Sequence, residues 1–271
     1  MSDTQYLPIW GAIGREYKDG IGAKDVADQL DAMPASTRRI VVSIHSPGGN
    51  PFDGVAINAR LTAERQKGRT VEVEIPALSA SAATIIHVAG APIRVGQDAL
   101  VMIHNPWTFT MGDAPEHRAA ASQLDAVTDA MIGLYVRATK RRESEIRAWL
   151  DATTWMDGAE AVANGFATEV IPAASNQIAA MAFAPEVLAR LGAPPPKHRR
   201  QFDAVARVAG ARLNPTAIYD DRNRPRAFEP QATARAARPR SIAAIASRYY
   251  DDQAAETAAG AIGTSPRGGA R

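Results

Sequence analysis

Short apolar segments alternate with helical patterns along the first two-thirds of the chain, and this alternation constrains the fold more than any other feature. Residues 7–13, 39–45 and 71–75 have the apolar content of buried strands. Residues 23–33 and 51–65 repeat their apolar side chains at helical spacing. Strands that alternate with helices are typical of domains in which helices connect parallel strands. The sequence therefore predicts an α/β fold built from repeated strand-helix units.

The alternation continues beyond these units and includes one long helix. Residues 93–95 and 100–104 are predicted strands, residues 114–140 a long helix, and residues 144–150 a shorter helix. Asp157 begins a further helix as its N-cap, because an acidic residue follows three positions later. The long helix has an apolar stripe, which is typical of a core or a subunit contact. Its members are Leu124, Val127, Met131, Leu134 and Ala138.

Composition divides the chain into a body and a tail. With 46% hydrophobic residues and no cysteine, the chain can form a core but no disulfide, which favours a cytoplasmic protein. No segment has the roughly 18 consecutive apolar residues of a membrane span. From Pro196 onward, 14 Lys and Arg residues accompany 7 Asp and Glu residues, and large apolar side chains are few. We expect one domain over residues 1–192 and a flexible basic C-terminal tail, largely disordered or short-helical, over residues 193–271.

Three short motifs lie where predicted strands end, and together they offer the groups that acyl transfer needs. Ser81 lies among alanines where a strand gives way to a helix, so its hydroxyl is a candidate nucleophile. His104 ends another strand and is the candidate general base. Gly48 and Gly49 form a turn whose backbone can closely approach a ligand. One of their N–H groups and the N–H of Ala82 would form an oxyanion hole.

These motifs resemble those of the proteolytic subunit of Clp protease, in particular its branch of phage head maturation proteases. The resemblance covers about residues 7–171. Ser46-Pro47-Gly48-Gly49 is similar to the oxyanion-hole turn, Ala80-Ser81-Ala82-Ala83 to the nucleophile segment, and Met102-Ile103-His104 to the base segment. The resemblance implies a serine endopeptidase, with a handle-type role for the long helix in contacts between rings.

Two serines compete for the role of nucleophile, because Ser79 lies only two residues before Ser81. Ser81 is nearer the predicted helix start, so the N–H of Ala82 is available beside it as a donor. The resemblance selects the same residue. Ser79 is expected to be a packing residue.

The third member of the triad is where the chain departs from the family pattern. In the resemblance the orienting acid lies two residues before an aromatic residue that corresponds to Trp155, and Thr153 occupies that position. A threonine hydroxyl can accept the imidazole N–H but has no charge to stabilise the imidazolium. Asp151 is an alternative if the loop shifts, whereas Asp157 is expected to cap a helix. The sequence predicts a Ser81 and His104 dyad assisted by Thr153 or Asp151.

The remaining histidines are predicted to be structural. His45 and His87 are expected to pack against the core, and His117 and His198 to be exposed. Because no pair of histidines has metal-ligand spacing with supporting acids, we expect no metal and no cofactor.

The resemblance also implies partners. It implies a homo-oligomeric ring that cleaves protein substrates, such as capsid or scaffold proteins, in the host cytoplasm or the prohead. Residues 217–223 resemble tail segments of phage protease relatives. We expect no membrane and no nucleic-acid partner.

The alternative functions are a housekeeping Clp-type subunit that works with an ATPase, or a catalytically silent assembly protein. Crotonase-like acyl-CoA enzymes share the strand and helix plan, but their chemistry needs no serine nucleophile.

Overall fold

The structure is a computed structural model that describes residues 3–17, 20–172, 191 and 194–208, with side chains up to residue 203. These residues lie within the first of two compact units, Met1–Gln231. Most of the expected basic tail, including residues 217–223, lies outside the described residues. Within the described part of the chain, no helix is long and apolar enough to cross a membrane.

The described elements alternate along the chain as the sequence predicts. The strands are β1 (Thr4–Trp10), β2 (Arg39–His45), β3 (Thr70–Ile75), β4 (Leu78–Ala80), β5 (Ile93–Gly96), β6 (Leu100–Ile103), β7 (Thr154–Asp157) and β8 (Glu169–Ile171). The helices are α1 (Ala23–Asp31), α2 (Pro51–Gln66), α3 (Ala82–His87), α4 (Ala114–Thr139), α5 (Glu143–Asp151), α6 (Gly158–Ala163) and α7 (Arg199–Val208). The α/β fold is therefore confirmed.

A five-stranded parallel sheet forms the centre of the body, in the order β1-β2-β3-β5-β8. In β2 the consecutive side chains of Ile40, Val41 and Val42 are all buried. Burial of successive residues means that both faces of the strand are covered, as expected when crossover helices pack against a parallel sheet. The parallel strands all end at the same edge, which is where β2 leads into the Ser46-Pro47-Gly48-Gly49 turn.

A second, three-stranded sheet carries the candidate catalytic motifs, in the order β4-β6-β7. Strands β4 and β6 are parallel, and β6 and β7 are antiparallel. The sheet is tied to the five-stranded sheet by a bridge between Ser46 and Ser79. Because β4 ends at Ala80 and β6 at Ile103, Ser81 and His104 leave neighbouring strands at the same edge.

The first strand begins and ends earlier than the sequence predicts. The prediction was residues 7–13, whereas β1 covers Thr4–Trp10. The backbone leaves the strand conformation at Gly11, whose φ is 94°. Ile13 then forms only isolated bridges with Ile21 and Gly49. Apolar Ile13 therefore signals burial in a loop next to the glycine turn, and not continuation of the strand.

Three strands were missed from the sequence. The sequence predicts that residues 71–75 lead directly into the helix after Ser81, but β4 intervenes and belongs to the second sheet. Its Leu-Ser-Ala composition has weak β-propensity, so backbone pairing specifies it instead. Ser46 N donates to Leu78 O, and Ala80 N donates to Ser46 O, each at 3.0 Å. Strands β7 and β8, with four and three residues, are too short to show a periodic pattern.

The segment around the start of α7 packs against the second sheet. The rings of Phe202 and Trp155 meet edge to face with centroids 5.3 Å apart, and both side chains are buried. Leu191 belongs to the same apolar cluster. Described residues on both sides of position 192, the expected domain boundary, thus contact the strands that carry the catalytic motifs. His198 is only 1% exposed, so the prediction of an exposed side chain was wrong.

Candidate active site

Ser81 occupies a strained turn between β4 and α3. Its backbone has φ 54° and ψ −128°, a conformation that residues other than glycine rarely adopt. Such backbone strain costs about 1–3 kcal/mol and is common at catalytic residues. The amide of Ser81 donates to Met102 O at 2.9 Å, which anchors the turn to β6. The side chain is partly exposed, whereas Ser79 is fully buried.

The side chains of Ser81 and His104 meet directly. His104 Nε2 lies 2.8 Å from Ser81 Oγ. With a neutral imidazole whose Nε2 is unprotonated, the Ser81 hydroxyl donates to this nitrogen, as a general base requires. Burial lowers the pKa of His104 from 6.5 to about 4, because the charged imidazolium is disfavoured there. His104 is therefore a neutral proton acceptor at pH 7 and a weak base.

Position 153, where the sequence predicts the third catalytic residue, lies next to His104 at the end of the β6 and β7 pair. Ile103 pairs with Thr154 in antiparallel register, so Thr153 and His104 follow at neighbouring positions. Thr153 has φ 52°, a left-handed conformation that β-branched residues rarely adopt. Asp151 Oδ1 accepts from Asn105 Nδ2 at 2.8 Å. Among the described residues, no hydrogen bond joins either Thr153 or Asp151 to the imidazole of His104.

The glycine turn packs against Ser81. A methyl group at Gly48 would lie 2.6 Å from Ala80 O and 2.6 Å from Ser81 Cβ, so only glycine permits this approach. The N–H of Gly48 donates to Ser46 Oγ at 3.1 Å and is therefore occupied. Ile13 bridges Gly49 through the neighbouring groups Gly48 O and Asn50 N. This pattern leaves the N–H of Gly49 directed away from Ile13.

A second serine and histidine pair lies behind the first and has no access to solvent. Ser79 Oγ is 2.9 Å from His87 Nδ1, and both side chains are 0% exposed. Burial lowers the pKa of His87 to about 3, so its imidazole is neutral. The geometry agrees with the packing role expected for Ser79, because no substrate can reach a fully buried hydroxyl.

A cluster of possible metal ligands lies at the start of α6. The side chains of Asp157, Glu160 and His198 bring one ligand atom each to within 4.8 Å of the others. The two carboxylates already have partners, because Asp157 caps α6 through Glu160 N and Glu160 pairs with Lys197. His198 Nε2 lies 3.0 Å from Glu160 Oε2. The capping role predicted for Asp157 is confirmed. The ammonium group of Lys197 already supplies a positive charge to Glu160.

The contact between Ser81 and His104 is the arrangement expected of a serine hydrolase on an α/β fold, and the comparisons with known proteins identify the family. Residues 12–174 match the Clp protease family. This chain belongs to the Clp protease family. Membership implies serine-type peptidase chemistry.

Individual relatives are distant. The ATP-dependent Clp protease proteolytic subunit 1 of Protochlamydia amoebophila is 28% identical over 49% of this chain and 65% of its own length. The proteolytic subunit 2 of Gluconobacter oxydans is 25% identical over 64% of this chain and 77% of its own length. A solved structure of a ClpP1 point mutant from Listeria monocytogenes has a TM-score of 0.53 and 24% identity, covering 62% of this chain and 91% of that one. The last likeness supports the fold.

Proposed function

We propose that this chain is a serine endopeptidase with Ser81 as nucleophile and His104 as general base. The observation that carries the proposal is the 2.8 Å contact between Ser81 Oγ and His104 Nε2 at a strained turn. The contact joins two separate parts of the chain, because Ser81 lies between β4 and α3 and His104 follows β6. The positive φ of Ser81 costs free energy, and such strain is concentrated at functional sites, so it favours a catalytic role for this contact over an incidental one.

The proposed reaction uses groups already oriented in the site. Ser81 Oγ attacks the substrate carbonyl carbon while its proton passes to His104 Nε2. The carbonyl oxygen becomes an oxyanion that accepts from the N–H groups of Gly49 and Ala82, since the N–H of Gly48 is occupied by Ser46. His104 then protonates the leaving amine. A water molecule then attacks the carbonyl carbon of the acyl-enzyme and passes its proton to His104 Nε2. His104 returns a proton to Ser81 Oγ, which releases the acid product and the free serine.

Labelling with a fluorophosphonate probe tests this assignment. We expect one adduct per chain by intact mass, lost in Ser81→Ala and His104→Ala and retained in Ser79→Ala. Ser79→Ala is the matched control, because it removes a hydroxyl two residues away that pairs with a different histidine. A wild-type chain that acquires no adduct in any oligomeric state would instead support a catalytically silent assembly protein, for which the uncharged Thr153 is the favouring observation.

As substrate class we propose capsid or scaffold proteins, cleaved during phage head maturation by a ring of identical chains. Support comes from the length of the chain beyond the family match: residues 175–271 follow it, and they carry the Arg-rich composition and the phage-like segment 217–223. Such a tail offers a basic arm for docking to an assembling head. The proposal puts the reaction in the host cytoplasm or the prohead.

The second candidate is a housekeeping degradative subunit, favoured by the names of the relatives, which are ATP-dependent Clp proteolytic subunits. The two functions differ in their need for an ATPase. We expect the purified chain to cut procapsids of uncleaved capsid protein at a few sites without ATP. Processive degradation of casein only with a Clp ATPase and ATP would favour the housekeeping role.

A further inference from the structure

We propose that Thr84 and Tyr135 are positioning residues that aim the N–H of Ala82 at the oxyanion. The inference rests on the proposed function, because it concerns the hydrolase site of Ser81. Neither residue belongs to the motifs that carry the family resemblance. Tyr135 lies in the last turns of α4, 51 residues away in sequence from Thr84 in α3.

A chain of two hydrogen bonds, one buried and one partly buried, connects α4 to the turn that carries Ser81. Thr84 Oγ1 lies 2.6 Å from Ser81 O and also 2.6 Å from the hydroxyl of Tyr135. A threonine hydroxyl has one proton, which it donates to the Ser81 carbonyl, so the Tyr135 hydroxyl must be the donor to Thr84. Burial raises the pKa of Tyr135, which keeps this phenol protonated and able to donate. Thr84 N also donates to Ser81 O, at 2.9 Å.

The anchored carbonyl belongs to the same peptide unit as the proposed oxyanion donor. The C=O of Ser81 and the N–H of Ala82 lie in one plane and point in opposite directions in a trans peptide. Holding the oxygen of Ser81 therefore fixes the direction of the Ala82 N–H. Thr84 holds it with two hydrogen bonds, and Tyr135 fixes the rotamer of Thr84.

This anchoring matters because the Ser81 backbone is strained. A residue with φ 54° gains free energy by rotating towards a common conformation, and such a rotation turns the adjoining peptide plane. Thr84 and Tyr135 are both 0% exposed, so water does not compete for the hydrogen bond between their hydroxyls. The tertiary contact between α3 and α4 thus opposes relaxation of the turn.

Thr84→Val and Tyr135→Phe test the inference, because each removes a hydroxyl and changes the side-chain shape little. Removing one oxyanion donor costs about 10²–10³ in rate, so misdirecting one should lower the maximal fluorophosphonate inactivation rate about 10- to 100-fold in Thr84→Val. The half-saturating probe concentration should not change. The pH midpoint should not change either, because His104 is untouched. Thr84→Ser retains the hydroxyl and should restore most of the rate.

A double variant separates positioning from stability. Thr84→Val leaves the Tyr135 hydroxyl buried without an acceptor, whereas Thr84→Val with Tyr135→Phe removes both polar groups. We expect the double variant to regain most of the lost Tm and to remain slow in labelling. Thr139→Val is the matched control: the buried Thr139 hydroxyl donates to the backbone oxygen of Tyr135 at 2.7 Å and not to its phenol, which is the group that contacts Thr84. It should lower Tm and label at the wild-type rate.

The outcomes distinguish this inference from the proposed function. A wild-type chain labelled at Ser81, together with a folded Thr84→Val or double variant labelled equally fast, would refute the positioning role and leave the peptidase assignment intact. Recovery of both Tm and labelling rate in the double variant would have the same meaning, since it would show that the hydroxyls act only on stability. Absence of any adduct on the wild-type chain would remove both proposals.

Discussion

Replacing Thr153 with aspartate should increase the rate of Ser81 labelling by a factor between about 10 and 10⁴, the upper figure being the cost of removing the acid from a complete triad. The antiparallel register of β6 and β7 brings the backbone of position 153 next to that of His104, so we expect a carboxylate there to reach the imidazole. Aspartate tolerates the left-handed conformation of this position better than threonine does, and the change should not destabilise the fold. The measurement is the second-order rate of fluorophosphonate labelling.

The pH profile gives this prediction a second readout. Only the neutral form of His104 can accept the serine proton, so the wild-type rate should fall as the pH drops through about 4, the lowered pKa that burial gives the imidazole. A carboxylate within hydrogen-bonding reach favours the imidazolium and raises such a pKa by about 1–3 units. In Thr153→Asp the midpoint should therefore move to higher pH while the plateau rises. An unchanged midpoint and plateau in the folded variant would show that position 153 does not act on His104.

Thr153→Asn is the matched control for charge. Asparagine has nearly the shape of aspartate and the same tolerance of positive φ, but it cannot stabilise an imidazolium electrostatically. We expect little change in the pH midpoint or in the labelling rate.

Asp151→Asn tests the remaining acid: its partner is Asn105, and an amide can replace that hydrogen bond. Loss of labelling in Asp151→Asn would assign the catalytic charge to Asp151 after all.

The sequence was sufficient to predict the elements whose signal is local. Ser81 and His104 could be singled out as candidates because the first lies among alanines before a helix and the second ends an apolar strand. The helix capped by Asp157 could be predicted because Glu160 follows three residues later. The ends of β1 were misplaced for a local reason too. Ile13 is apolar and fully buried, and only tertiary bridges distinguish a buried loop residue from a strand residue.

Features that depend on distant pairing left no local signal. Strand β4 exists because its backbone pairs with Ser46 and with β6, and the closeness of position 153 to His104 depends on the register of β6 and β7. The sequence indicates Ser46 only as part of a turn, although its hydroxyl accepts from the N–H of Gly48. The link from Tyr135 to Thr84 joins residues 51 positions apart, so neither residue could be singled out from spacing. These are tertiary effects, which propensity and periodicity do not report.

Gly48→Ala should both destabilise the fold and abolish most of the labelling of Ser81. The added methyl group would lie 2.6 Å from Ala80 O, 2.6 Å from Ser81 Cβ and 2.8 Å from Ala82 N, and the two backbone atoms cannot move without moving β4 or the start of α3. Its φ of 91° adds backbone strain. Together these terms should lower the free energy of unfolding by about 2–5 kcal/mol. Because the displaced atoms flank the proposed nucleophile and belong to the proposed oxyanion donor, the labelling rate should fall by at least about 10².

Gly68→Ala separates the steric effect from the backbone effect. Gly68 has a similar φ of 87°, but a methyl group there meets no atom within 4 Å. It should therefore cost only the conformational strain, about 1–2 kcal/mol, and leave labelling of Ser81 unchanged. Chemical denaturation and labelling rates of the two variants check both expectations. Equal rates in Gly48→Ala and Gly68→Ala, with both proteins folded, would mean that the turn does not set the geometry of the nucleophile. A loss confined to Gly48→Ala would assign the effect to close packing between the glycine turn and Ser81.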